Sequence, residues 1–192
     1  FSTMDGPRTG ELIGGKYRLG PMLGRGGMGT IYAAVHEELH RKVAVKLLHA
    51  NISSDETLLQ RFRREAITAA ELGHPNIVQV SDLHISLDDD GSYLVMELLE
   101  GCSLDQAIEQ GRFDLERTAF IAKQLLSALS AAHATGIIHR DLKPENVFLT
   151  EIAGFADIVK LLDFGIAKLT DADDRGRLTS TGMVLGTPAF MA

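Results

Sequence analysis

Residues 23–31 read Leu-Gly-Arg-Gly-Gly-Met-Gly-Thr-Ile, and the spacing Gly24-x-Gly26-x-x-Gly29-x-Ile31 constrains the fold more than any other stretch. Glycines let a backbone approach phosphates closely and adopt dihedrals that cost other residues dearly. A dinucleotide-binding fingerprint needs a helix after such a loop. Here residues 30–35 read as a strand instead. A Walker loop needs Gly-Lys-Ser/Thr, which is absent. What remains is a strand–turn–strand, either a flap over a phosphorylated ligand or a glycine-rich hairpin with no ligand.

The surrounding pattern extends that reading. Residues 17–23, 30–36 and 42–48 are short β-branched or apolar runs separated by glycine or polar turns, which predicts strands. A helix follows: Ser53 or Ser54 caps it, Asp55 and Glu56 suit its first turn, and Gly73 stops it. Strand-like runs at 77–85 and 93–98 flank the turn Asp88-Asp89-Asp90-Gly91. Beyond Gly101 the character becomes helical. Asp114 caps a long amphipathic segment with Thr118, Ile121, Leu125, Leu129 and Ala132 on one face and Gly136 past its end. A sheet-rich part followed by a helical part predicts two lobes meeting near residues 97–101.

Composition narrows the function. The 192 residues are 45% apolar and carry a net charge of −7. The chain is therefore globular, and nothing favours nucleic-acid or membrane-surface binding. A single cysteine, Cys102, excludes an internal disulfide and fits a reducing, cytoplasmic setting. With no histidine base implied beside it, Cys102 reads as a partly exposed bystander. The seven histidines lack metal-type pairing. No apolar run approaches the roughly 20 residues that span a bilayer. Residues 1–8 have no signal-peptide core, and residues 1–15 read as a flexible leader. There is no internal repeat.

Chemistry concentrates in three further motifs. Val43-Ala44-Val45-Lys46 ends a strand on a lysine, which by itself is commonly an exposed strand end. Glu65 sharpens it, because Leu58, Phe62, Glu65, Ala69 and Leu72 share one helical face. An ionised carboxylate on an apolar stripe is costly without a partner, and Lys46 is the natural one. Arg61, Arg63 and Arg64 point elsewhere, as a solvated face. The remaining motifs are His139-Arg140-Asp141-Leu142-Lys143-Pro144-Glu145-Asn146 and Asp163-Phe164-Gly165.

Glycine loop, VAVK, helix glutamate, HRDLKPEN and DFG in that order resemble the protein kinases. The wording LGRGGMGTIY and GTPAFM is most similar to bacterial serine/threonine kinases, and the resemblance covers about residues 12–191. It implies an α+β, two-lobed kinase-like fold: a five-stranded antiparallel N-lobe sheet with one helix (16–98), a hinge (97–101) and an incomplete helical C-lobe (102–192), with ATP between the lobes. It also implies a role for each matching residue. The backbone of Gly24, Gly26 and Gly29 would cover the ATP phosphates. Lys46 would hold the α- and β-phosphates while paired with Glu65. Asp163 and Asn146 would bind Mg2+, with Mn2+ as an alternative. Asp141 would accept the proton of the substrate hydroxyl, and Lys143 would steady the γ-phosphate. Ile31, Ala44 and Phe148 would enclose adenine, Leu23 would belong to the same ATP-binding set, Met96 would be the gatekeeper, and the backbone of Glu97 and Leu99 would bind the adenine edge. Ser103 would lie near the ribose. For each apolar residue, ordinary core packing is the plain alternative.

Lys143 and Thr187, in Gly186-Thr187-Pro188, match the serine/threonine pattern. Arg140 beside Asp141 implies activation-loop phosphorylation, since a phosphate there would form charge-assisted hydrogen bonds. Thr170, Thr179, Ser180 and Thr181 are the candidates, with Thr179 and Thr181 preferred. Departures from the family are Phe190 in place of tyrosine, a long link at 150–158, and an end at Ala192 where the family continues. This predicts a C-terminally truncated catalytic domain, with apolar surface of the long helix left uncovered. Implied partners are ATP, proteins bearing Ser or Thr, and a second kinase copy for autophosphorylation; a transmembrane or sensor segment, common in the kinases it resembles, would lie downstream and is not read from these residues. The competing readings are a non-catalytic pseudokinase module and a fragment inert by itself. Lys46, Asp141, Asn146 and Asp163 discriminate against the pseudokinase, because pseudokinases usually lack at least one.

Overall fold

A computed structural model describes residues 7–53, 56–86, 91–139 and 141–162, without the side chains of Asn51, Arg61 and Glu65. Arg140, Asp163, the hydroxyls at 170 and 179–181, Thr187, Phe190, Ser54 and Asp55 lie outside the described residues. The chain divides into two compact units, one from Phe1–Ala70 with Val78–Glu100, the other from Glu71–Ile77 with Gly101–Ala192.

In the first unit the strands are β1 (Leu12–Ile13), β2 (Tyr17–Arg25), β3 (Gly29–His36), β4 (Arg41–Leu48), β5 (Val80–His84) and β6 (Tyr93–Glu97), with helices α1 (Ala50–Ser53) and α2 (Glu56–Leu72) after β4. Among the described residues they form a six-stranded sheet in the order β1-β2-β3-β4-β6-β5. Every pairing is antiparallel. Central β4 is buried from Val43 to Leu48 because both of its faces are covered. Alternation sends Val43, Val45 and Leu47 into one apolar cluster with Ile13, Leu19, Tyr32, Tyr93 and Val95. On the other side Leu48 joins Leu94 and the α2 residues Leu59, Phe62 and Ala66. The Tyr17 hydroxyl donates to Asp82 Oδ2 at 2.8 Å, tying β2 to β5. Burial first, then the hydrogen bond to Asp82, pushes the Tyr17 phenol well above its ordinary range.

In the second unit, β7 (Gly101–Ser103), β8 (Val147–Ile152) and β9 (Phe155–Leu161) form a three-stranded antiparallel sheet. Helix α3 (Leu104–Gln110) begins with a reciprocal cap between Ser103 and Gln106. Helix α4 (Leu115–Ala134) begins where the Asp114 carboxylate accepts from the Arg117 amide at 2.7 Å. Ile121, Ala128 and Ala132 of α4 pack with Val147, Leu149, Val159 and Leu161 of the sheet. Asn76 joins the 71–77 segment to this unit: its Nδ2 donates to Gln124 Oε1 at 3.0 Å and to the Val159 carbonyl at 2.9 Å. Arg117 forms a two-pronged pair with Asp157 at 2.8 and 2.7 Å while lying 4.0 Å over the Phe113 ring.

Several expectations shift. The sheet has six strands rather than five, because Leu12 and Ile13 pair with Arg18 and Tyr17. Ile13 is 0% exposed, so part of the segment expected to be a leader is packed into the core. The strand expected at 77–85 begins only at Val80. Ile77 instead bridges Leu161 in parallel and packs in the second unit. The long link at 150–158 belongs to a hairpin, turning at Ala153 and Gly154 with φ of 52° and 82°. Ser53 lies inside α1 rather than capping the longer helix. On α2 the buried set includes Leu59 and Ala66 beside Phe62 and Ala69, a face slightly rotated from the expected stripe. Thr118 of α4 is exposed, as are Leu115, Phe120 and Leu126.

Candidate active site

The first unit holds the glycine loop and the VAVK lysine. Register places Ile31 opposite Lys46, and Lys46 opposite Leu94 on its other side. Ala44 faces Met96 in the same ladder. Lys46 is 9% exposed, so its stem is packed while its strand position is fixed by partners on both flanks. Glu65 lies on α2 between the buried residues Phe62 and Ala66. At the end of β6 the Glu97 amide donates to the Gln79 carbonyl at 3.0 Å, and Glu97 Oε1 accepts from the Gln79 amide at 2.8 Å. That double link fixes the strand's exit toward Leu99.

The loop's glycines separate into two kinds. A Cβ on Gly29 would sit 2.2 Å from the Leu47 carbonyl oxygen, so close approach of β3 to β4 requires glycine there. At Gly24 a Cβ would meet nothing within 4 Å, and at Gly26 only the Gly29 carbonyl at 4.0 Å. Packing inside the unit therefore accounts for Gly29 but not for Gly24 or Gly26. A ligand approaching the backbone would account for both.

The second unit holds the loop from His139 to Asn146. His139 is buried, and its Nε2 donates to the Leu162 carbonyl at 3.0 Å while Nδ1 accepts from the Asp141 amide at 3.4 Å. Those bonds assign the neutral tautomer with its proton on Nε2. The Asp141 amide also reaches the His139 carbonyl at 2.8 Å. Asn146 Nδ2 donates to the Asp141 carbonyl at 2.9 Å and to Asp141 Oδ2 at 3.3 Å. Lys143 Nζ stands 3.8 Å from the same Oδ2. Pro144 opens a single 3-10 turn, Pro144–Asn146, that fixes the lysine–asparagine spacing. Finally, the Leu162 amide donates to the Asn146 carbonyl at 2.8 Å. The loop is thus braced against the residue immediately before Asp163. Phe148, buried on β8, faces Lys160 across the ladder, and Ser103 pairs with Phe148 from β7.

Asp141, Lys143 and Asn146 form one polar cluster, with a carboxylate, an ammonium and an amide within hydrogen-bonding or ion-pairing range. With Nδ2 directed at Asp141, Asn146 is left with Oδ1 as a hard oxygen donor, the donor type Mg2+ takes. No group of three or more His, Cys, Asp or Glu residues suited to a metal occurs among the described residues. In phosphoryl-transfer sites Mg2+ takes oxygen ligands, few of them from the protein and the rest from substrate phosphates and water, and the amide oxygen of Asn146 is a ligand of that kind. Sequence reasoning did not single out two supports: His139 as a brace, and the Glu97–Gln79 link. A histidine next to charged loop residues was the only signal for the first, and register alone shows the second.

A braced acid–lysine–asparagine loop in the second unit, and a lysine-bearing strand next to a glycine loop in the first, are the groups the kinase template uses. The chain belongs to the protein kinase family: the Protein kinase domain model matches residues 17–192. It is 42% identical over 186 residues to the serine/threonine-protein kinase pkn3 of Myxococcus xanthus, covering 96% of this chain and 34% of that protein. It is 43% identical over 190 residues to the serine/threonine-protein kinase PknA of Mycobacterium tuberculosis, covering 97% and 42%. The chain therefore spans between a third and a half of the length of these curated relatives. Among solved structures, the PknI kinase domain of Mycobacterium tuberculosis aligns with a TM-score of 0.68 and 31% identity, covering 82% of this chain and 62% of that one.

Proposed function

We propose that this chain carries the nucleotide-binding and catalytic residues of a serine/threonine protein kinase, which transfers the γ-phosphoryl group of ATP to protein hydroxyls. The observation that carries the reading is the Asp141–Lys143–Asn146 cluster, held by His139 and by the backbone entering Asp163. Asp141 accepts the proton of a seryl or threonyl hydroxyl as its oxygen bonds to the γ-phosphorus and the bond to ADP breaks. Lys143 offers positive charge beside the carboxylate, where the transferred phosphoryl group would pass. Lys46 holds the α- and β-phosphates, and Glu65 is its proposed ion-pair partner. Asn146 and Asp163 would hold Mg2+, which would supply charge cancellation on the phosphates. Ile31, Ala44 and Phe148 are the proposed adenine contacts, with Leu23 in the same ATP-binding set, Met96 as gatekeeper and the backbone of Glu97 and Leu99 for the adenine edge.

Thr187 favours serine and threonine acceptors, and Thr179 and Thr181 are the proposed activation phosphosites, read by Arg140. A second copy of the chain is the proposed partner in that autophosphorylation. No helix among the described residues is long and apolar enough to cross a membrane. The pseudokinase alternative gains nothing, since Lys46, Asp141, Asn146 and Asp163 are all present.

The test is incubation with Mg2+ and ATP, followed by mass spectrometry of phosphosites, beside an Asp163→Asn control. Phosphate on Thr179 or Thr181 in the unsubstituted chain alone supports the reading. Phosphorylation equal in both chains, or failure of the full-length protein to transfer phosphate or bind ATP, would overturn it.

A further inference from the structure

The tip of the glycine loop is attached to its own unit on one side only. Gly26 donates to the Gly29 carbonyl at 2.9 Å, which closes the turn over Gly27 and Met28. Gly27 has no neighbour within 4 Å of a Cβ position, so that side of the tip is open. Met28 behaves differently. Its side chain is partly buried against the cluster of Leu48, Leu59, Phe62, Ala66 and Leu94, where α2 meets β4 and β6. Its carbonyl accepts from the His49 amide at 3.1 Å, and His49 Nε2 lies 3.2 Å from Thr30 Oγ1. The same cluster holds α2 through Leu59, Phe62 and Ala66.

We propose that Met28 is a positioning residue that latches the glycine loop to α2, so that the loop covering the phosphates and the helix carrying Glu65 take up their places together. An unbranched thioether suits this task, because it fills an irregular gap among aliphatic and aromatic side chains while the loop backbone stays glycine-flexible. Losing the side-chain latch leaves the flap held by its strands and the His49 amide alone, and a more loosely tethered flap must be ordered each time nucleotide binds. The inference rests on the proposed binding of ATP under this loop.

The experiment compares Met28→Gln, similar in length but polar, with Met28→Leu, which keeps the apolar contact, in the full-length protein. Dissociation constants for Mg–ATP, KM for ATP, kcat and Tm are measured for each. Met28→Gln is expected to weaken ATP binding by about tenfold, equivalent to about 1.4 kcal/mol, with a smaller change in kcat, and Met28→Leu to restore binding. Leu59→Ala, on the helix side of the contact, should weaken ATP binding too, and combining it with Met28→Gln should add little further. A lowered Tm with ATP affinity unchanged in Met28→Gln, or full additivity with Leu59→Ala, would show a merely structural contact and overturn the latch while leaving the kinase reading intact. Absence of ATP binding to the unsubstituted protein would instead overturn the kinase reading, and the latch with it.

Discussion

Asn146 Nδ2 lies 2.9 Å from the Asp141 carbonyl oxygen and 3.3 Å from Asp141 Oδ2, so one amide braces both the backbone and the carboxylate of its neighbour. The brace fixes where the carboxylate points, and its remaining oxygen is the proposed metal donor. Replacing Asn146 by alanine removes both contributions together. Phosphoryl transfer is expected to fall by about 10²-fold or more in kcat, the scale of losing a preorganised polar group in a catalytic site. Steady-state kinetics with a peptide acceptor would read it. An unchanged kcat would mean that Asp141 is oriented by other contacts.

The glycine loop should respond to alanine in two distinguishable ways. Gly29→Ala forces a Cβ to within 2.2 Å of the Leu47 carbonyl, so β3 and β4 must separate. A cost of about 1–3 kcal/mol in unfolding free energy is expected, the range for overpacking. Gly24→Ala meets nothing within 4 Å and should leave Tm nearly unchanged while raising KM for ATP. Denaturant unfolding and ATP titration of the same two variants separate the outcomes. Equal destabilisation by both would remove the distinction.

Alkaline conditions test the link between β2 and β5. The Tyr17 phenol is raised by burial and by its hydrogen bond to Asp82, so the folded state holds its proton more tightly than the unfolded chain does. Its contribution is therefore fully present below the unfolded value of about 10 and is lost as pH climbs from there through the higher folded value. Tyr17→Phe should lower stability at neutral pH by about 1 kcal/mol, the net worth of a typical hydrogen bond, and should flatten the decline above pH of about 10. Chemical unfolding at a series of alkaline pH values would show it. Equal slopes for both chains would argue that another group controls the alkaline loss.

Ile13 provides a test of where the folded unit begins. It is 0% exposed within the cluster of Tyr17, Leu19, Tyr93 and Val95. Ile13→Ala should cost about 2–4 kcal/mol, the range for truncating a buried aliphatic side chain. Thermal unfolding of the variant checks this, and a negligible shift in Tm would mean that β1 contributes little to the core.

The amino-acid sequence by itself determined the family and the identities of the chemical groups, because phosphoryl transfer restricts which residue types can follow one another in HRDLKPEN, VAVK and DFG. It also placed the local elements whose signals are local: the Asp114 cap of α4 is a short-range hydrogen bond, and Gly73 and Gly136 follow the ends of α2 and α4 with φ of 51° and 78°. The tertiary structure decided what depends on partners far along the chain. Leu12 and Ile13 become a strand only because β2 offers an edge, and two residues carry too little periodicity to announce that. Ile77 reads as the start of a strand from its own apolar run, yet a bridge to Leu161, far along the chain, takes it into the second unit. The same reason applies within the site. That Asp141 is a candidate base is written in a motif, but the two residues that brace it, His139 and Asn146, are themselves anchored only once the chain after β9 returns beside the loop and Leu162 bonds both.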